Sequence, residues 1–351
     1  MNILILTGKF GMGHIKCANA IKEQITASYP DANVDIVDFC EFCFQKTSKL
    51  IYKGFETAVY KFSYAYNKLG AFTNKLNCVP FKRMLHRRMD KMMEAYSPDL
   101  VIADLPMAVQ YYASYKKAKN VKIPFYVYIT DITIHSDWIS KSVDKYFVGS
   151  RCCAIELVKR GISRYRIHIS GIPVSDAFSK DPEKLTRKPN VLVMGGGLGL
   201  IPCQDRILSA LNNSKEVNAT IICGKNEKLL KEVTEKYPHI KAVGFTNNVP
   251  GYLTRADVII TKPGGITTFE AIKSRTPLFI FEPSLLQEQG NSNFIKKKGL
   301  GLVIKDEASF SEETLLSFIK DKEEINNIKE RMEELSRSFE SVNPMDYFEV
   351  A

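Results

Sequence analysis

Short apolar runs alternate with longer amphipathic stretches along this chain, and the alternation starts twice. Residues 2–6 (NILIL) form an apolar run of strand length, and from 15 to 28 the apolar positions recur at helical spacing. Residues 33–37 predict a second strand and 100–103 (LVIA) a third. The proline-bounded run 124–130 is a fourth and ends at Asp131, 143–148 is a fifth, and 167–169 a short sixth. A helix is predicted over 153–160, and one or more helices between 39 and 96, a stretch longer than a plain crossover. Residues 175–189 carry prolines and mixed charge without periodicity and read as a linker. Beyond it strands are predicted over 190–194, 219–223, a short run ending at Gly244-Phe245, 256–260 and 278–281. Helices over 203–212, up to Tyr237, from Ile266 and over 289–298 lie between and after them, and a charged helical tail covers 312–340.

Strands alternating with helices in both halves predict an α/β chain of two doubly wound, Rossmann-like domains, each a parallel sheet covered on both faces. The expected division is 1–174, a linker over 175–189, 190–335, and a tail over 336–351 with room to return to the first domain. Ligands in such folds sit past the carboxyl ends of strands, where the glycine loops of this chain also fall. The stretch TKPGGITTFE (261–270) is the most informative of them. Two glycines let backbone approach a ligand, and the helix start behind them offers unpaired N–H groups and a positive dipole end to a phosphate. Glu270, about one turn in, could accept hydrogen bonds from a ribose diol; the pattern also fits an ordinary strand–turn–helix unit with a surface glutamate.

Composition narrows this picture. At 351 residues, 45% hydrophobic and 25% charged, the chain is globular and long enough for two cores. It starts with a strand rather than a secretory leader, and no apolar run reaches the ~18 residues of a membrane span, so a cytoplasmic protein is expected. The eight cysteines lack paired metal-ligand spacing and fit buried reduced thiols. The net charge of +10 is concentrated between 46 and 91, where lysines and arginines including Lys82, Arg83, Arg87 and Arg88 are interleaved with aromatics. Such a segment suits the anionic face of a membrane; a solvated helix face and a nucleic-acid patch are the alternatives, the latter without any recognition motif.

The loop after the first strand, Gly8-Lys9-Phe10-Gly11-Met12-Gly13-His14, is neither a dinucleotide fingerprint nor a Walker loop. His14 at a helix start stays neutral more readily and is a candidate base, although a helix cap or a ligand contact would use the same residue. Asp131 is the second candidate, as a base or as a group orienting His14. His135 and Trp138 follow it in a loop that reads as a hydrogen-bonded corner or as a wall of an acceptor site.

These motifs, taken in order, resemble a GT-B glycosyltransferase of the monogalactosyldiacylglycerol synthase and processive diacylglycerol glucosyltransferase family, a neighbour of the MurG group. The resemblance rests on GMGH (11–14), Thr130-Asp131 with His135 and Trp138, VDKY (143–146), GIPV (171–174), CGKN (223–226), KPGGIT (262–267), and Gln287-Glu288 with Asn291. It implies two domains facing a cleft and inverting transfer of a hexose from a UDP-sugar to a lipid hydroxyl, diacylglycerol first among acceptors, at the inner face of the cell membrane. It implies that Gly13, Gly196, Gly197, Gly264, Gly265, Ile266 and Thr267 face the donor diphosphate, and that Glu270 binds ribose. Gly244 and Phe245 would lie against uracil, and Gln287, Glu288 and Asn291 would reach the sugar. No Asp-x-Asp pair is present to hold a metal, and no cofactor is expected. A polyprenyl-linked or soluble acceptor, a UDP-sugar epimerase, or a nucleotide-sugar sensor without turnover are the rival readings.

Overall fold

The computed structural model describes residues 1–61, 82–179, 188–196, 201–283, 286–339 and 342–348. Outside the described residues lie Gly197, Leu198 and Gly199 of the second glycine loop, positions 180–187 of the expected linker, and the cations and aromatics between 62 and 81. The side chains of Lys46, residues 55–61 and Gln287 lie outside them as well.

Met1–Ser175 with Phe339–Ala351 forms one compact unit and Asp176–Ser338 the other. The first is built on strands β1 (Asn2–Thr7), β2 (Asn33–Asp38), β3 (Leu100–Ala103), β4 (Phe125–Ile129), β5 (Lys145–Val148) and β6 (Ile167–His168). All pair in parallel, in the order β2-β1-β3-β4-β5-β6. The central strands are continuously buried, as expected where helices cover both faces of a parallel sheet. From β2 onward the crossovers step in one direction, so right-handed connections place the helices Lys82–Tyr96, Pro106–Lys119 and Arg151–Lys159 on the same face. Their inward residues Leu85, Met89, Val109, Tyr112, Cys153 and Leu157 share one core cluster with Leu4, Leu6 and Val101. The Gly13–Ser28 helix belongs to the opposite face, its buried positions Cys17, Ala18, Ile21 and Ile25 spaced three and four apart.

The second unit repeats the plan with β7 (Asn190–Met194), β8 (Asn218–Gly224), β9 (Ile240–Gly244), β10 (Val258–Thr261), β11 (Leu278–Phe281) and β12 (Gly301–Ile304), all parallel in the order β12-β11-β10-β7-β8-β9. The sequence pattern does not announce β12, because Gly299 and Gly301 interrupt it. Gly301 is what the pairing requires: a Cβ there would stand 1.8 Å from the Leu278 carbonyl oxygen.

The charged tail is two helices rather than one, Glu312–Lys320 and Lys322–Arg337. Asp321 divides them, its carboxylate accepting from the Glu324 amide as a new N-cap. The last described residues pack on the first unit. Tyr126 donates its hydroxyl to the Tyr347 carbonyl at 2.7 Å, the Tyr347 hydroxyl lies 3.0 Å from His168 Nδ1, and Asn343 bonds the Gln24 carbonyl.

Candidate active site

In the first unit the sheet order reverses between β1 and β3, and the loops leaving β1, β3 and β4 bring His14, Asp104, Thr130 and Asp131 to one place. The turn after β1 is tight: a Cβ on Gly8 would meet Leu105 at 2.9 Å, and Gly11 holds φ +81°. Tyr52 holds the loop from outside, accepting from the Lys9 amide while donating to Asp38, and Lys9 pairs with Glu41. Gly13 then opens the helix that carries His14 in its first turn.

His14 Nδ1 lies 2.6 Å from the Asp104 carbonyl oxygen. A carbonyl can only accept, so Nδ1 carries the proton and Nε2 keeps its lone pair. The Thr130 hydroxyl lies 3.4 Å from the same Nδ1. Burial lowers the His14 pKa below its ordinary value; the Asp131 charge and the Asp104 carbonyl offset part of this, and His135 adds to the lowering. A neutral imidazole with Nε2 unprotonated is the form a general base needs. Because the shift is downward, the neutral form persists to more acid pH than for an ordinary histidine. The acid limb of kcat/KM is therefore expected below pH 6.5. A pH–rate profile with its acid midpoint at or above that value would exclude His14 as the base.

Asp131 does not bond His14. Its Oδ2 accepts from Trp138 Nε1 at 2.9 Å and lies 3.4 Å from His135 Nε2. Burial pushes its carboxyl up, but His135, Trp138 and the charge of His14 outweigh that and hold it below the usual carboxylate range. It is thus a weak base, and what orients His14 is the Asp104 carbonyl. The expectation that Trp138 walls an acceptor site is corrected: the indole is fully buried in the core of the first unit and anchors Asp131 from beneath. His135 remains partly exposed beside it. Asp104 and Thr130 had no assigned role in the sequence reading, although Asp104 directly follows a strand whose end points at the loop. Its own side chain is fully buried, and burial drives that carboxyl well above the usual range, with the Thr7 hydroxyl and Ala18 amide offsetting only part.

In the second unit the order reverses between β10 and β7. The carboxyl ends of β7, β10 and β11 therefore lie side by side, with Gly196 and the Lys262–Gly265 turn following the first two and the Leu286–Lys298 helix bonded to that turn through Asn291. Thr261 ties the first two by donating to the Met194 carbonyl at 2.7 Å. The Gly265–Lys273 helix has Gly264 as N-cap, no side-chain cap and no acid in its first turn. Among the described residues no side chain caps the first amides of this helix, those of Gly265, Ile266 and Thr267, which stand at the positive end of the helix dipole. Asn291, expected to reach a sugar, is instead buried and donates to the Pro263 carbonyl at 2.8 Å, so it braces the turn. Glu270 is buried at 1% exposure on that helix. Glu288 is half-buried; burial pushes its carboxyl up and Lys262 pulls it back. Gly196 is exposed with φ +76° after β7, and Gly244 ends β9 with Phe245 exposed beyond it, its ring 5.8 Å from Lys225 Nζ.

Of the four cations expected at a membrane, Lys82, Arg83 and Arg87 are exposed on their helix. Arg88 is not outward: it is half-buried and donates to Gln45 Oε1 at 3.2 Å. No described helix is long and apolar enough to cross a membrane.

Residues 14–174 match the family Monogalactosyldiacylglycerol (MGDG) synthase, and residues 190–343 match the Glycosyltransferase family 28 C-terminal domain. The chain is 26% identical to a processive diacylglycerol beta-glucosyltransferase of Bacillus licheniformis, over 96% of this chain and 91% of that one. It is 25% identical to the Bacillus subtilis protein of the same name, over 95% and 91%. Among solved structures it is similar to Acinetobacter baumannii MurG, with a TM-score of 0.63 at 13% identity over 97% of this chain and 96% of that one. Anabaena HepE, solved in complex with UDP, matches with a TM-score of 0.57 at 14% identity over 97% and 96%.

Proposed function

We propose, from the premise that this chain belongs to the monogalactosyldiacylglycerol synthase and processive diacylglycerol glucosyltransferase family of GT-B glycosyltransferases, that it moves a hexose from a UDP-sugar to the hydroxyl of diacylglycerol. The observation that carries this reading is the tautomer of His14, held with Nδ1–H on a backbone carbonyl and Nε2 available. The acceptor O–H gives its proton to Nε2 while its oxygen bonds to the anomeric carbon and the bond from that carbon to the diphosphate oxygen breaks. A single displacement of this kind inverts the centre. The imidazolium that forms is stabilised by the Asp131 charge and the Asp104 carbonyl. The charge growing on departing UDP is met by the amides at Gly265, Ile266 and Thr267, with Asn291 holding the turn that aims them. The reading assigns no metal and no resident cofactor, and it places the work at the inner face of the cell membrane.

The test offers radiolabelled UDP-glucose, UDP-galactose and UDP-N-acetylglucosamine with diacylglycerol vesicles. Label extracted with lipid is the expected result, and the preferred donor identifies the hexose. Label in a water-soluble glycoside, an altered free UDP-sugar, or donor binding without turnover would each replace this reading.

A further inference from the structure

We infer that the first unit meets an anionic bilayer through a second foothold, remote in sequence from the basic helix Lys82–Tyr96: the outward side of the Arg151–Lys159 helix with the turn Arg164–Arg166 after it. The inference rests on the lipid-acceptor reading above. Ile155 and Val158 stand three residues apart on one helix face and are 48% and 44% exposed, while Tyr165 is 89% exposed. Five cations accompany them: Arg151, Lys159, Arg160, Arg164 and Arg166, all exposed. The acid within the helix, Glu156, is taken by Arg160 at 2.8 Å. Arg164 and Arg166 donate to backbone carbonyls, which leaves their charge uncompensated among the described residues. Exposed aliphatic side chains, a tyrosine and uncompensated cations together match the requirements of a headgroup interface.

The position in the fold supports this occupant. This helix and Lys82–Tyr96 lie on the same face of the sheet and bury their inner sides in one cluster, so the outer sides of both are turned away from that face. A surface that meets exposed Lys82, Arg83, Met84 and Arg87 on one helix can therefore also meet Ile155 and Val158 on the other. A second copy of the chain is disfavoured, because a two-fold contact would set these cations against themselves. Two footholds fix orientation as well as distance, and an enzyme that takes its acceptor from a bilayer benefits from both.

The experiment measures partition of the full chain onto phosphatidylcholine vesicles with and without phosphatidylglycerol. Two variants are compared with the parent: Ile155→Ser/Val158→Ser/Tyr165→Ser, and Arg151→Glu/Lys159→Glu. Each is expected to lower partition onto the anionic vesicles by roughly tenfold or more. High salt should erase the difference made by the charge reversal and leave that made by the apolar set. UDP binding and turnover on detergent-dispersed diacylglycerol should be unchanged in both, which also reports that the variants are folded. Unchanged partition, the outcome if this face serves an acidic protein, overturns the inference. So does a loss confined to Lys82→Glu/Arg87→Glu. Partition is read without turnover, so a parent enzyme that makes no glycolipid would sink the proposed function and leave this result interpretable.

Discussion

His14→Ala is expected to lower kcat by about two orders of magnitude or more while the Kd for UDP stays near that of the parent. The separation follows from where the residue stands. His14 belongs to the first unit, where it is fixed by a 2.6 Å bond to the Asp104 carbonyl, and the amides assigned to the diphosphate belong to the second. If His14 is the base proposed above, removing it takes away the group that accepts the acceptor's proton and leaves the amides assigned to the donor unchanged. Single-turnover assays with labelled donor, paired with calorimetric titration of UDP, read the two quantities independently. Asp131→Asn is the informative companion. If Asp131 only supports the imidazolium electrostatically, its loss shifts the acid limb and lowers kcat less than His14→Ala does. A larger loss for Asp131→Asn than for His14→Ala would transfer the base role to Asp131.

Glu270→Gln is expected to weaken UDP binding by roughly tenfold or more, the worth of a charged hydrogen bond, with little change in kcat at saturating donor. Glutamine keeps the volume of a side chain that is 1% exposed, so a packing defect is avoided and the lost charge is what is measured. The burial makes the test necessary. A carboxylate that only completes the helix core would lower Tm on substitution and leave UDP affinity where it was. One that forms the floor of a ribose site would lower affinity, and 2′-deoxy-UDP would then lose less than UDP. Titration of both nucleotides together with a melting curve separates the two outcomes.

How much could be read before the fold was known varies with the kind of feature. Eleven of the twelve strands among the described residues announce themselves, most clearly the central ones, because a strand buried on both faces is apolar throughout, as in LVIA and LFIF. β12 escapes because its entry needs glycine against the Leu278 carbonyl, and a glycine erases the pattern that identifies a strand. The helix Pro106–Lys119 is similarly quiet, with tyrosines and alanines where an aliphatic stripe would have marked its inner face. The break at Asp321 was hidden by a charged run whose helical spacing continues across it.

The candidate site divides along the same line. Residue type and local spacing were enough to single out His14, the Lys262–Gly265 turn and Glu270, because a helix start behind a glycine turn has its chemistry built into the backbone next to it. They could not show which neighbour orients His14, since Asp104 is ninety residues away and acts through a carbonyl that every residue possesses. Nor could they show that Trp138 and Asn291 face inward. An indole or an amide near a site looks alike in sequence whether it meets a ligand or braces a loop. Burial decides between the two, and burial depends on which strands the sheet places side by side. The chain by itself therefore determined the class of fold, the glycine turn before a helix start and the imidazole. The tertiary structure alone decided the tautomer, the braces and the outward face, because each depends on contacts between segments far apart in sequence.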